Sequence, residues 1–198
     1  MGGRLIGDLC IHGEYTSTPK VVEAVAAHAK DAGARIHIHL SETQTEHEEC
    51  KQRHGGMTPA AYFASIGVFD VPTIAAHCVW CEDDDLAIMK EHGVFAALNP
   101  ASNMKLGSGF APVTKMLERG VNVCLGTDGV SSNNCTDFFG DMKLAAILHN
   151  GANCDPLALL PIDALRMATV NGGKALGRLT GRIEGATTPT SFWWTSPT

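Results

Sequence analysis

Between Leu9 and Gly129, short apolar runs, polar tips and amphipathic stretches follow one another repeatedly, the pattern of βα units around a parallel sheet. Five runs read as strands: Leu9–His12, Arg35–Leu40, Thr73–Cys78, Val94–Leu98 and Val121–Leu125. The second alternates with period two, so His37 and His39 share one face, Ile36, Ile38 and Leu40 share the other, and Glu42 falls just beyond the tip. The first helix has Thr18 as N-cap, Pro19 at its first position, Val21, Val22, Val25 and Ala29 on one face, and Gly33 as terminator. Asp83, Asp84 and Asp85 set negative charge on the positive end of the next, which Gly93 closes, so these aspartates read as structural. Pro112 to Gly120 repeats the Pro-start, Gly-stop scheme, and Asp137 to His149 and Ile162 to Val170 read as further helices. After Gly181 the pattern fails, and residues 187–194 show neither period nor turn logic.

A chain of 198 residues with 44% hydrophobic composition fills one sizeable core, so one domain is expected over residues 1–183, with an irregular tail over 184–198. Lys plus Arg number 15 against 21 Asp plus Glu, a formal net charge of -6 with no basic cluster, which argues against nucleic acid as a partner. Charge or Gly breaks every apolar run well short of a bilayer span, so no membrane partner is expected. The 7 cysteines form an odd set scattered among apolar segments, and no signal-type stretch follows Met1; a reduced, cytoplasmic protein is expected.

Candidate chemistry stands at the C-terminal ends of successive strands: His12, then His39 with Glu42, then His77, then Asp128 in Gly126-Thr127-Asp128-Gly129. That rim is where parallel βα architectures build their sites. A lone histidine at a strand end is more often structural, but four polar clusters in consecutive units read as a site. Imidazole and carboxylate suit zinc or a similar divalent ion, which makes hydroxide available near neutrality, and a nearby glutamate can carry its proton to a leaving group. The pattern therefore points to metal-assisted hydrolysis. Other groups carry less. Cys78-Val79-Trp80-Cys81 has redox spacing, but such a motif wants a helix start directly after the strand. His28, His47, His54, His92 and His149 fall on helices or turns and are expected to be solvated, while His37 is ambiguous because it pairs with His39 as HxH.

Six segments in order give the chain a family likeness: Ile11-His12-Gly13-Glu14-Tyr15-Thr16, residues 37–43, Ala76-His77-Cys78-Val79, Asn99-Pro100-Ala101-Ser102-Asn103-Met104-Lys105-Leu106, residues 126–134, and Ala164-Leu165-Arg166-Met167-Ala168-Thr169. Over roughly residues 9 to 183 the chain resembles the metal-dependent amidohydrolases, most of all the 5-methylthioadenosine/S-adenosylhomocysteine deaminases and their chlorohydrolase relatives. The resemblance implies an α/β fold, part of a (β/α)8 TIM barrel of the amidohydrolase type. His39 and Asp128 would be metal ligands for Zn, Fe or Mn, Glu42 a proton shuttle that also binds the substrate ring, and His77 a polariser of the attacked carbon or bound water. His12 and Ser132 match substrate-contacting positions, and Asp128 would take a proton from the attacking water. The substrate would be a small nucleoside, with ammonia leaving after protonation through Glu42.

The family's first barrel strand carries an HxH pair supplying two more ligands, and by the same resemblance the five strands here correspond to its strands four to eight. A whole barrel takes about 250 residues. An arc leaves two sheet edges and an apolar inner face exposed, so self-association against another copy is expected. The alternatives are a chlorohydrolase or guanine-deaminase relative, a catalytically inactive fragment lacking the first-strand HxH metal ligands, or a subunit that works only when its N-terminal half is supplied in trans. In the tail, the family continues after Gly-Arg-Ile-Glu into a strand resembling Ala-Asp-Leu-Val-Val-Val-Asp. Codons for residues 187–197 read one nucleotide earlier permit Tyr-Asp-Ala-Asp-Phe-Val-Leu-Val-Asp-Leu-Thr, so a frameshift near Gly185 is expected; coding DNA incompatible with that phase removes the idea.

Overall fold

In a computed structural model, residues 6–183 are described, and the tail and its frameshift reading lie outside them. The chain runs β1 (Leu9–Ile11), a 3₁₀ turn at Glu14–Thr16, α1 (Pro19–Ala32), β2 (Ile36–Leu40), α2 (Gln44–Arg53), α3 (Pro59–Ser65) and β3 (Thr73–His77). It continues through α4 (Asp83–Glu91), β4 (Phe95–Leu98), α5 (Pro100–Leu106), α6 (Val113–Glu118), β5 (Asn122–Leu125), α7 (Val130–Asn133) and α8 (Phe138–Asn153), then α9 (Pro161–Arg166), a π turn at Met167–Asn171 and α10 (Gly172–Ala175). Each expected strand forms, β1 and β3 ending one residue early and β2, β4 and β5 starting one residue late. Both α2 and α3 start where threonine hydroxyls accept backbone N–H groups, Thr43 from Glu46 at 3.2 Å and Thr58 from Ala61 at 3.2 Å.

All pairings are parallel and the strand order is β1-β2-β3-β4-β5, with Leu40 opposite His77 and Leu98 opposite Leu125. A doubly wound sheet reverses its order at a switch point. This one never does, so its strands wind one way as an arc of a barrel, with every C-terminal tip on one rim.

The larger core lies outside the arc, where Ile36, Ile38, Leu40, Ala96 and Leu98 meet Val22, Phe63, Leu86, Met89 and Met116. Inside, Ile74 and Cys124 pack with Phe95, Ala97 and Ala175 of α10. The inner face is thus covered in part, where the sequence reading left it open. Val21 departs from expectation too: α1 buries Val22, Ala26 and Ala29 and leaves Val21 53% exposed beside the open β1 edge. Asp85 is structural as expected, buried and accepting the Thr58 hydroxyl and the Glu82 N–H.

Two of the histidines expected in solvent are buried. His47 sits between the Ser41 hydroxyl at 3.0 Å and a Glu82 carboxylate oxygen at 3.3 Å. His149 is 3% exposed on the inward side of α8, and burial pushes its pKa from 6.5 down to about 4. The unfolded chain therefore takes up this proton first as pH falls, so the native state loses stability below the ordinary histidine pKa and goes on losing it until the folded value is reached. At one pKa unit per 1.36 kcal/mol, the loss by pH 5 is about 2 kcal/mol. Urea unfolding at pH 7 and pH 5 is expected to show that much extra acid sensitivity in wild type over His149→Gln; equal slopes would refute it.

Candidate active site

The strand tips bring most of the expected residues together. The His12 and His39 rings lie 4.7 Å apart between centroids, and His39 stacks on His77 at 5.4 Å with 16° between planes. Glu42 turns back from the β2 tip so that one carboxylate oxygen is 3.7 Å from His77 Nε2. Asp128 follows β5, and the neighbouring His77 and His39 rings favour its ionised form. Ser132 is half-buried on α7, its N–H donating to the Gly129 carbonyl at 3.0 Å. His37 points elsewhere, 3.4 Å from Asp8 at the far end of the strand.

The backbone at these tips is unusual. Ser41, His77, Cys78 and Asp128 all have positive φ, of 47°, 72°, 52° and 60°. Each such non-glycine residue costs about 1–3 kcal/mol and persists only where its surroundings hold it. The supports are visible. Glu46 accepts the N–H of Ser41 at 2.9 Å and of Glu42 at 2.7 Å, so one buried carboxylate clamps the turn that aims Glu42. At β5, Asp128 accepts the Gly129 N–H at 2.7 Å and the Ser102 hydroxyl at 2.7 Å. Burial works to raise the Asp128 pKa, but these two bonds and the neighbouring imidazoles outweigh it and hold the carboxyl below its ordinary value. The β4 and β5 tips also approach closely, since a Cβ on Gly126 would stand 2.5 Å from Asn99 Oδ1.

These residues suit a divalent metal in donor chemistry. His39 Nδ1–H donates to the His12 carbonyl at 2.6 Å, an acceptor only, which leaves the Nε2 lone pair free to ligate. An ionised Asp128 adds an oxygen. Two donors is fewer than the three or four protein ligands of a zinc site. Two other groups of ligand-type atoms converge among the described residues, and neither suits a metal. Around Glu14, Arg53 already holds both carboxylate oxygens, at 3.0 and 2.5 Å, and burial pushes the Cys50 thiol up to about 12. Around Glu82, Lys51 donates at 2.5 Å. The Cys78 and Cys81 thiols are free and buried, and α4 begins only at Asp83, so the redox reading lacks its helix terminus.

Sequence reasoning passed over Ser102, Asn103, Ser108 and Glu46. The signal for the first two was present, since both lie in the segment Asn99 to Leu106 that contributes to the family likeness.

Comparison with known proteins gives the same picture from another side. The amidohydrolase family matches residues 2–185. The 5-methylthioadenosine/S-adenosylhomocysteine deaminase of Thermoanaerobacter pseudethanolicus is 49% identical over 165 residues, which cover 83% of this chain and 38% of the relative. The 5'-deoxyadenosine deaminase of Methanosarcina mazei is 48% identical over 173 residues, 87% of this chain and 40% of the relative. Among solved structures, an adenosine deaminase from Xanthomonas campestris with bound zinc superposes with a TM-score of 0.85 at 33% identity, over 89% of this chain and 40% of that one. The chain spans about two fifths of the length of the relatives it matches. With a singly wound parallel arc, helices on its outside and a match over all described residues, the chain belongs to the amidohydrolase family.

Proposed function

We propose that this chain is the catalytic rim of a hydrolytic deaminase acting on an adenosine derivative such as 5-methylthioadenosine or S-adenosylhomocysteine, with release of ammonia. The observation that carries it is Glu42 facing His77 beside His39 and Asp128 on one rim, in a chain whose curated relatives are named as deaminases of such nucleosides. His39 Nε2 and an Asp128 oxygen would hold zinc, which supplies an activated water when bound. Asp128, held ionised, accepts a proton from the attacking water. Glu42 binds the ring and passes a proton to the departing amine, and its carboxylate lies 3.7 Å from His77 Nε2, which would polarise the attacked carbon or the water. His12 and Ser132 would contact the nucleoside. β1 and β5 are the end strands of the sheet among the described residues, and a second copy would cover their edges in the lone chain. Its 7 free thiols suit a reducing cytoplasm.

The test compares the purified chain alone with the chain complemented by the N-terminal portion of the Thermoanaerobacter relative. Ammonia release from 5-methylthioadenosine, metal content and light scattering are read on both. The lone chain is expected to hold well under one metal per chain and to run as more than a monomer, and the complemented one to take up metal and release ammonia. Stoichiometric zinc with turnover by the lone chain overturns the two-ligand reading, and a clean monomer overturns the pairing. A folded, metal-replete complex inert toward adenosine derivatives overturns the deaminase assignment.

A further inference from the structure

One short segment touches three of the four residues assigned to the chemistry. α5 begins at the β4 tip, with its Ala101 N–H held by Asp141 at 3.2 Å, and ends at Gly107 with φ of 70°, which turns the chain back toward the site. Along it, the Ser102 hydroxyl donates to Asp128 at 2.7 Å, Asn103 Oδ1 lies 2.8 Å from His77 Nδ1, and the Ser108 hydroxyl donates to Glu42 at 3.4 Å. Lys105 adds bonds to the Ser131 carbonyl at 2.6 Å and Asn134 at 2.7 Å, pinning the loop after Asp128. The Trp80 indole donates to the Ser108 carbonyl at 2.9 Å, fixing the far end.

We propose that Asn103 is a positioning residue that holds His77 as the Nδ1–H tautomer, within a frame from Ser102 to Ser108 that sets the site's proton-carrying groups; its catalytic meaning rests on the deaminase reading above. His77 is 1% exposed and Asn103 3%, so water does not exchange for either partner. An amide oxygen only accepts, so the ring nitrogen facing it carries the hydrogen. The competing arrangement needs His77 to donate from Nε2, but the Glu42 carboxylate on that side is 3.7 Å away and beyond hydrogen-bond reach. The short buried contact therefore decides the tautomer. His77 Nε2 is left with its lone pair toward Glu42 and the rim, able to accept a proton there and afterwards to donate it from the same atom. An imidazole free to exchange tautomers would spend part of its time with that lone pair turned into the protein.

The tautomer is readable by ¹⁵N NMR of the histidine-labelled chain above neutral pH, with the His77 signals assigned by their loss in His77→Gln. Wild type is expected to show one protonated-type nitrogen at Nδ1 and one lone-pair-type nitrogen at Nε2. Asn103→Asp, whose carboxylate also accepts, is expected to keep that separation, and Asn103→Leu to lose it as the two shifts converge. Wild type with the hydrogen on Nε2, or Asn103→Leu with an unchanged spectrum, overturns the proposal. If Asn103→Leu does not fold, wild type and Asn103→Asp still decide it. The spectra need no turnover, so a failed ammonia assay leaves them standing and a wrong tautomer leaves the deaminase assignment standing.

Discussion

Glu14→Ala is expected to lower the unfolding free energy by about 1.5–3 kcal/mol, the range for hydrogen bonds to a charged group, since Arg53 is itself 37% exposed and keeps water when its partner is removed. The side chain of Glu14 is 3% exposed and serves three donors: Arg53 at 3.0 Å to one oxygen and 2.5 Å to the other, and His54 at 2.7 Å. Arg53 and His54 close α2, whereas Glu14 sits in the turn after β1, so one carboxylate ties the β1 loop to the helix that follows β2. Burial pushes the Glu14 pKa up, but the bonds and charges of Arg53 and His54 more than reverse it, and the folded value lies below the ordinary one. The sign follows: the stabilisation is present above the unfolded carboxylate pKa and is lost as pH falls through the folded value. Alanine removes it at every pH and leaves His54, whose ring stacks on Tyr62 at 3.9 Å, without its acceptor. Asp83, with a side chain 53% exposed, pairs with Arg119 at 2.6 Å in solvent, and Asp83→Ala is expected to cost less than about 1 kcal/mol. Urea unfolding at neutral pH separates the two. A Glu14→Ala loss no larger than that of Asp83→Ala would show that the buried pair contributes nothing beyond a surface one.

What could be read from the chain, and what could not, follows from how each residue signals. All five strands were legible because apolar runs bounded by Gly, Pro and charge leave few other readings, and the meeting of His39, Glu42, His77 and Asp128 on one rim because each ends or follows one of those parallel strands. The helix α2 was not, since Gln44 to Arg53 is almost wholly polar and what it buries is Glu46, His47 and Cys50. Its place is set by the Thr43 cap and by the turn that Glu46 clamps, both tertiary facts. For the same reason His47 and His149 were misread as solvated: a histidine's neighbours, not its position on a helix, decide whether it is wet. Asn103 and Ser102 lie within the segment Asn99 to Leu106 that carries part of the family likeness, but their work depends on β3 and β5 standing beside α5, which only the folded sheet brings about.

Glu42→Gln is expected to reduce deamination by the complemented chain about 10²–10⁴-fold, the usual worth of a positioned proton carrier. Glutamine keeps the shape of the side chain and still accepts the Ser108 hydroxyl, a contact already long at 3.4 Å, so little stability is at stake. What it loses is the ability to hold and release a proton 3.7 Å from His77 Nε2. The fall should therefore appear in kcat far more than in KM, with the unfolding midpoint unchanged. Glu46→Gln is the informative contrast. That carboxylate faces the Ser41 and Glu42 N–H groups with both oxygens, and an amide can accept only one of them, so the turn loosens and Glu42 loses its aim while keeping its chemistry. Its expected signature is a smaller rate loss accompanied by a lower unfolding midpoint. If Glu42→Gln instead kept more than about a tenth of the wild-type kcat, proton transfer through Glu42 would contribute less than about 1.4 kcal/mol to the barrier, and the shuttle role would have to pass to another group on the rim.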